Sequence, residues 1–170
     1  TEIANRTRRL WYPANIWTVA GTGTPDYAYR GSTANPYDKM PAYAFDGAAQ
    51  EDIGLTVLLP SDAVTGTITP RIHWAPSDGN AGNVLWQLLV GSLAAADQID
   101  EGFALIGSVT AATPAVADQY TISAMNTITP TNITDLLRVV VRRDAVSGTD
   151  TYDAHDAWFI GLEILYTGDS

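Results

Sequence analysis

The sequence has no cysteine and a single lysine among its 170 residues. Without thiols there is no disulfide framework and no thiolate metal site, and the redox compartment is left open. The near-absence of lysine makes the positive charge almost wholly arginine, a side chain suited to planar, bidentate pairing with carboxylates. Charged residues make up only 16% of the chain and the net charge is −10. That balance excludes the clustered Lys and Arg of a nucleic-acid-binding body. No apolar run approaches the roughly 20 residues that cross a bilayer, so no membrane insertion is expected. The first residues also lack the apolar core of a secretory signal. Helical periodicity is nearly missing: LAAAD at 93–97 would make little more than one turn.

What is present is period-two alternation in a chain that is 46% hydrophobic. LLRVVVRR at 136–143 sets Leu137, Val139 and Val141 against Arg138, Val140 and Arg142. AWFIGLEILY at 157–166 sets Trp158, Ile160, Leu162, Ile164 and Tyr166 against Phe159, Gly161 and Glu163. Both read as strands with one buried face, joined by the polar loop DAVSGTDTYDAHD, so the chain is expected to end in two long strands of one sheet. Ile53, Leu55, Val57 and Leu59 alternate likewise until Pro60. Ile68, Pro70, Ile72 and Trp74 share a face opposite Thr69, Arg71 and His73, with Pro70 suggesting an edge or a bulge. Val84, Trp86, Leu88 and Val90 align next, and the short SDGNAGN loop before them predicts a hairpin. Adding PAYAFDG, 105–111, 119–125 and a short strand at 15–20 gives eight or nine strands. The fold class is therefore all-β, an antiparallel two-sheet jelly-roll sandwich, with an immunoglobulin-like sandwich as the alternative. Residues 15–170 form this one domain and 1–14 a short extended N-terminal arm.

The arm carries Arg6, Arg8 and Arg9 against Glu2, a local balance of +2, so everything after Leu10 carries −12. With Trp11 and Tyr12 it is laid out for docking onto a partner. The segment 21–41 is dense in Gly, Pro and Asn and reads as a surface excursion whose Tyr27, Tyr29 and Tyr37 suit an interaction loop. Exposed aromatics of this kind also bind sugars.

No reactive constellation stands out. Asp144, Asp150, Asp153, His155 and Asp156 crowd one loop, but without the DxDxDG order of a calcium site. Acidic turns between strands are common, so no cofactor or metal is expected. His73 and His155 are the only histidines; no G-x-S-x-G elbow accompanies them, and His73 reads as a satisfied surface histidine. Glu163 calls for a cross-strand arginine, Arg138 or Arg142. Trp74, Trp86 and Trp158 read as core; Trp11 and Trp17 read as interface anchors. The chain is not expected to be an enzyme.

The phrases PAYAFDG, GTITPRIHWAPSDGNAGNVLWQL, LLRVVVRRD and DTYDAHDAWFIGLEILY together resemble small jelly-roll virion structural proteins of tailed bacteriophages. The likeness spans 41–166. It implies a virion location, a homotrimer and a capsid-decorating or cementing role, with the arm reaching the major capsid protein or another virion protein. The alternatives are a head- or tail-fibre tip recognising host surface glycans, and a carbohydrate-binding module.

Overall fold

The computed structural model describes residues 5–21, 23–31, 39–99, 102–130 and 135–169. Tyr37 lies outside them. Along the described residues run eleven strands: β1 (Arg6–Pro13), β2 (Thr18–Val19), β3 (Asp26–Gly31), β4 (Lys39–Phe45), β5 (Gln50–Val57), β6 (Ala63–Pro76), β7 (Asn83–Leu93), β8 (Ala104–Ala112), β9 (Thr121–Ala124), β10 (Leu136–Asp144) and β11 (Ala157–Gly168). They form two antiparallel sheets, ordered β3-β4-β11-β6-β9 and β2-β5-β10-β7-β8. β6 lies along one edge of β11. On the other edge β4 pairs with residues 157–159 and β1 with residues 161–168, end to end. The architecture is the all-β jelly-roll sandwich expected from the sequence. Among the described residues the helical content is one 3-10 turn, Ala14–Ile16, and 93–97 is not helical.

The inward positions read from the sequence fill the core on most strands. Ile68, Ile72 and Trp74 of β6, Val84, Trp86, Leu88 and Val90 of β7, and Leu137, Val139 and Val141 of β10 are all buried. Aromatic side chains tie the two sheets together. Trp86, from the second sheet, meets Phe45 at 5.2 Å, Trp74 at 6.1 Å and Phe159 at 6.4 Å, all from the first. Such tilted and edge-on pairs add about 0.5–1.5 kcal/mol each beyond the apolar area they bury.

Alternation reports that a strand has two faces, not which strand lies beside it, and several expectations change accordingly. β10 and β11 do not share a sheet; the loop between them crosses from one layer to the other. β6 and β7 are likewise in opposite sheets and not a hairpin. Glu163 therefore faces neither Arg138 nor Arg142 but Arg71 and Arg9, on the strands that flank β11. Pro70 sits inside a central strand, at the point where the short β9 stops covering it. The excursion at 21–41 contains a strand, β3, paired with β4.

Within β11 the register slips between Phe159 and Gly161. One extra residue inverts the parity, so the core takes Ala157 and Phe159, then Leu162, Ile164 and Tyr166. Trp158 and Ile160 consequently point outward, contrary to the uninterrupted alternation.

The described part of the N-terminal arm is extended but not free. Arg6–Pro13 pairs with Gly161–Gly168 along its whole length, while Leu10 and Tyr12 pack against the core.

Candidate functional site

The outward turn of Trp158 creates a groove on the outer face of the β3-β4-β11-β6-β9 sheet. Its floor is Trp158 and Ile160 from β11, Ala42 and Met40 from β4, and Ala75 from β6; its volume is about 310 Å³. Arg30 and Gly31 of β3 form one wall, and Asp118 and Tyr120, on the segment leading into β9, form the other. Arg30 lays its guanidinium over the Trp158 ring, 4.3 Å from the centroid. From there it donates from Nε to Asp118 Oδ1 at 3.1 Å, and also from Nη2. The pair spans the groove like a strap. Asp118 holds a left-handed backbone, φ 56°, a conformation that Asp tolerates better than most side chains. The indole N–H of Trp158 is buried and unbonded among the described residues.

Beyond Tyr120 the same face carries a polar row. Its hydroxyl is bonded to His73 Nδ1. Nε2 of His73 lies 3.7 Å from Glu163 Oε2, and Glu163 is also 3.4 Å from both Arg71 and Arg9. The edge of Trp11 meets the His73 ring at 4.7 Å. Its indole lies on Gly161, where an added Cβ would stand 2.6 Å from Cζ2; close approach of the rings is what requires glycine there. His73 is 7% exposed, so it is not the surface histidine the sequence suggests. Burial lowers its pKa more than Glu163 raises it, and Arg71 lowers it further, so the ring is neutral at pH 7. The Tyr120 phenol is pushed up by burial and by Glu163.

The residues singled out in the sequence are dispersed by the fold. Arg8 pairs with Asp62 at 2.7 Å and donates to the Asp169 carbonyl; Arg9 serves Glu163. Arg6 is exposed at the far end of β1. Tyr12 faces inward, its phenol raised by burial and by Tyr166. Tyr27 and Tyr29 stack edge to face at 5.7 Å, on the opposite side of β3 from Arg30. Among the described ones, Trp11 and Arg9 share the grooved face with Trp158, and neither lines the groove. Trp17 is a core residue, 5.3 Å from Phe159, and not an interface anchor.

The acidic loop 144–156 is occupied by its own contacts. Asp150 accepts from Arg143 Nε and Nη2 at 3.0 Å each and from the Leu85 N–H at 2.9 Å. His155 pairs with Asp78 at 2.7 Å. Among the described residues no group of three or more His, Asp or Glu side chains is spaced to hold a metal.

Arg30, Asp118 and Tyr120 escaped the sequence reading, and Trp158, which reads as core there, faces outward. The one local signal was Gly161, a glycine interrupting an apolar strand, which marks a bulge or a close approach.

No family model and no curated protein matches the chain. Solved structures do. The CBM22-2 xylan-binding domain from Paenibacillus barcinonensis Xyn10C superposes with a TM-score of 0.56 at 13% identity, covering 93% of this chain and 99% of that one. The CBM36-1 domain of a multidomain xylanase from the hindgut metagenome of Trinervitermes trinervoides gives 0.55 at 11%, covering 96% and 98%. A family 35 carbohydrate binding module from Clostridium thermocellum gives 0.53 at 9%, covering 92% and 97%. At these identities the likeness is one of fold: the chain has the jelly-roll sandwich of carbohydrate-binding modules.

Proposed function

We propose that the chain is a non-enzymatic carbohydrate-binding module whose ligand lies in the groove over Trp158. The groove itself carries this reading. Trp158 with Ile160, Met40, Ala42 and Ala75 gives a mostly apolar floor for one side of a sugar ring, while Arg30, which caps the indole, and Asp118 and Tyr120 supply donors and acceptors for hydroxyls at its edges. Its volume lies at the low end of ligand pockets, about 300–1,000 Å³, which suits a short sugar segment. Hydrolysis is disfavoured, because glycosidases need two carboxylates across a cleft. Among the described residues lining this groove, Asp118 alone is a carboxylate, and Arg30 already holds it.

The test is a glycan array, with xylan included because the similar domains from Paenibacillus barcinonensis bind it. Trp158→Ala should weaken binding about ten- to a hundredfold, the equivalent of one buried aromatic face. Loss on Tyr29→Ala with Trp158→Ala unaffected would move the site to the other side of β3. No binding by the wild type would end this reading.

The same groove suits a phage fibre tip, which the sequence resemblance implies to be trimeric. A monomer by light scattering would leave the module reading alone. The capsid-cementing role draws no support from the similar structures. It also relied on a free arm, whereas Arg8, Arg9 and Trp11 are engaged within the chain.

A further inference from the structure

The polar row beside the groove ends in the one hydroxyl that lines it among the described residues, that of Tyr120, and its chemistry sets what that hydroxyl can offer a ligand. His73 touches Tyr120 through Nδ1 and faces Glu163 through Nε2. A neutral imidazole has one N–H and one lone pair. Turning the lone pair toward the Glu163 carboxylate would be repulsive, so the N–H belongs on Nε2 and the lone pair on Nδ1. The Tyr120 proton is then donated to His73. What Tyr120, 53% exposed, presents to the groove is therefore only oxygen lone pairs.

We propose that Tyr120 is the groove's specificity-determining hydrogen-bond acceptor, and that His73, oriented by Glu163, is the positioning residue that keeps it one. The favoured ligand is an uncharged sugar that offers a hydroxyl proton at that point. This deepens the carbohydrate reading and rests on it. Protonating His73 reverses the bond: Nδ1–H donates to Tyr120, and the phenol proton turns toward the ligand's own hydroxyl proton.

The surroundings of His73 decide where this happens. From β11 it faces Glu163, from its own strand Arg71, and from β1 Arg9 beyond Glu163 and the uncharged Trp11. β9 places uncharged Ile122 opposite it. Across Tyr120 stands the Arg30–Asp118 pair. Burial leaves protonation of the ring unfavourable; Glu163 opposes this and Arg71 adds to it. Inversion is therefore confined to acid, below the ordinary histidine range.

The test uses the full chain. Imidazole ¹⁵N shifts at pH 7.5 should show His73 as the Nε2–H tautomer with a bare Nδ1. Affinity for the best array glycan should fall about tenfold from pH 7.5 to pH 4.5. Tyr120→Phe, which removes only a hydroxyl from a half-exposed ring, should lose about tenfold at pH 7.5 and much less on acidification. His73→Phe should resemble Tyr120→Phe. His73→Asn, whose amide oxygen replaces Nδ1 as acceptor, should restore most of that binding without the acid loss. A purely structural role for His73 predicts no such restoration and no change of pH profile. An Nδ1–H tautomer, unchanged binding by Tyr120→Phe, or an acid loss that persists in His73→Asn overturns the inference alone. A wild type that binds no glycan at either pH overturns the carbohydrate reading and this with it.

Discussion

Arg143 is 0% exposed, and a guanidinium so placed is tolerated only when its donors are met. All of them are. Nε and Nη2 grip Asp150; Nη2 also donates to the Tyr152 carbonyl at 2.8 Å, and Nη1 to those of Phe45 and His155 at 3.0 and 2.7 Å. Three of these acceptors lie on the 144–156 loop, so an arginine holds that acidic loop through Asp150 and two carbonyls. Arg143→Met should then cost about 3–5 kcal/mol, because it strands the Asp150 carboxylate and three carbonyls in the interior. Urea denaturation measures it. Adding Asp150→Asn should recover part of the loss; if the double variant is no more stable than the single, the stranded charge was not the cause.

At the level of strands, β1 is the element whose role changes most between sequence and structure. Its arginines read as a docking arm, yet its backbone completes the edge of β11 that β4 leaves open. Leu10 and Tyr12 cover core residues, and Trp11 covers Gly161. Removing residues 1–13 should expose that edge and these contacts, at about 1.5–3 kcal/mol for each large apolar side chain uncovered. Thermal melts and aggregation assays should show a less stable, stickier protein; an unchanged melting temperature would mean that β1 is only laid against the sheet. The strands themselves were largely legible, since each buries one face and the period of two records it. The slip at Ile160 was not, because a bulge shifts parity without altering composition. Nor was the groove: Arg30 and Asp118 are 88 residues apart, and their meeting depends on which strands are neighbours. A two-residue period says nothing about that. His73 was misjudged for the same reason, since what buries it is Trp11 and Tyr120 from elsewhere in the chain.

Across the whole molecule a net charge of −10 has to be distributed over a fold with few cations, and one end of the sandwich shows the strain. Glu51 and Asp156 are both raised above the ordinary carboxylate range, first by burial. Asp46 and Asp26 add to this in each case, and Asp156 adds to it at Glu51. Arg143 and Arg30 offset only part of it at Asp156, as the Asp46 N–H does at Glu51. A raised folded-state pKa means that the native protein binds protons more readily than the unfolded chain. Stability from these two groups is therefore gained as pH falls from neutral through their folded pKa values, and is complete below the unfolded ones. His73 has the opposite sign. Its lowered pKa gives stability above about pH 6.5 that is lost as pH falls through the folded value. Asp156→Asn should accordingly raise the melting temperature at pH 7 by about 1–2 °C, a gain well under 1 kcal/mol for a partly solvated group. That advantage should shrink as pH falls through the folded value of Asp156, where the wild-type carboxyl takes up its proton. In the same scan His73→Asn should flatten the acid side of the profile and leave the neutral side as it was. If Asp156→Asn instead lowers the melting temperature at neutral pH, the carboxylate is stabilising the fold through a contact that outweighs its repulsion by Asp46, Asp26 and Glu51.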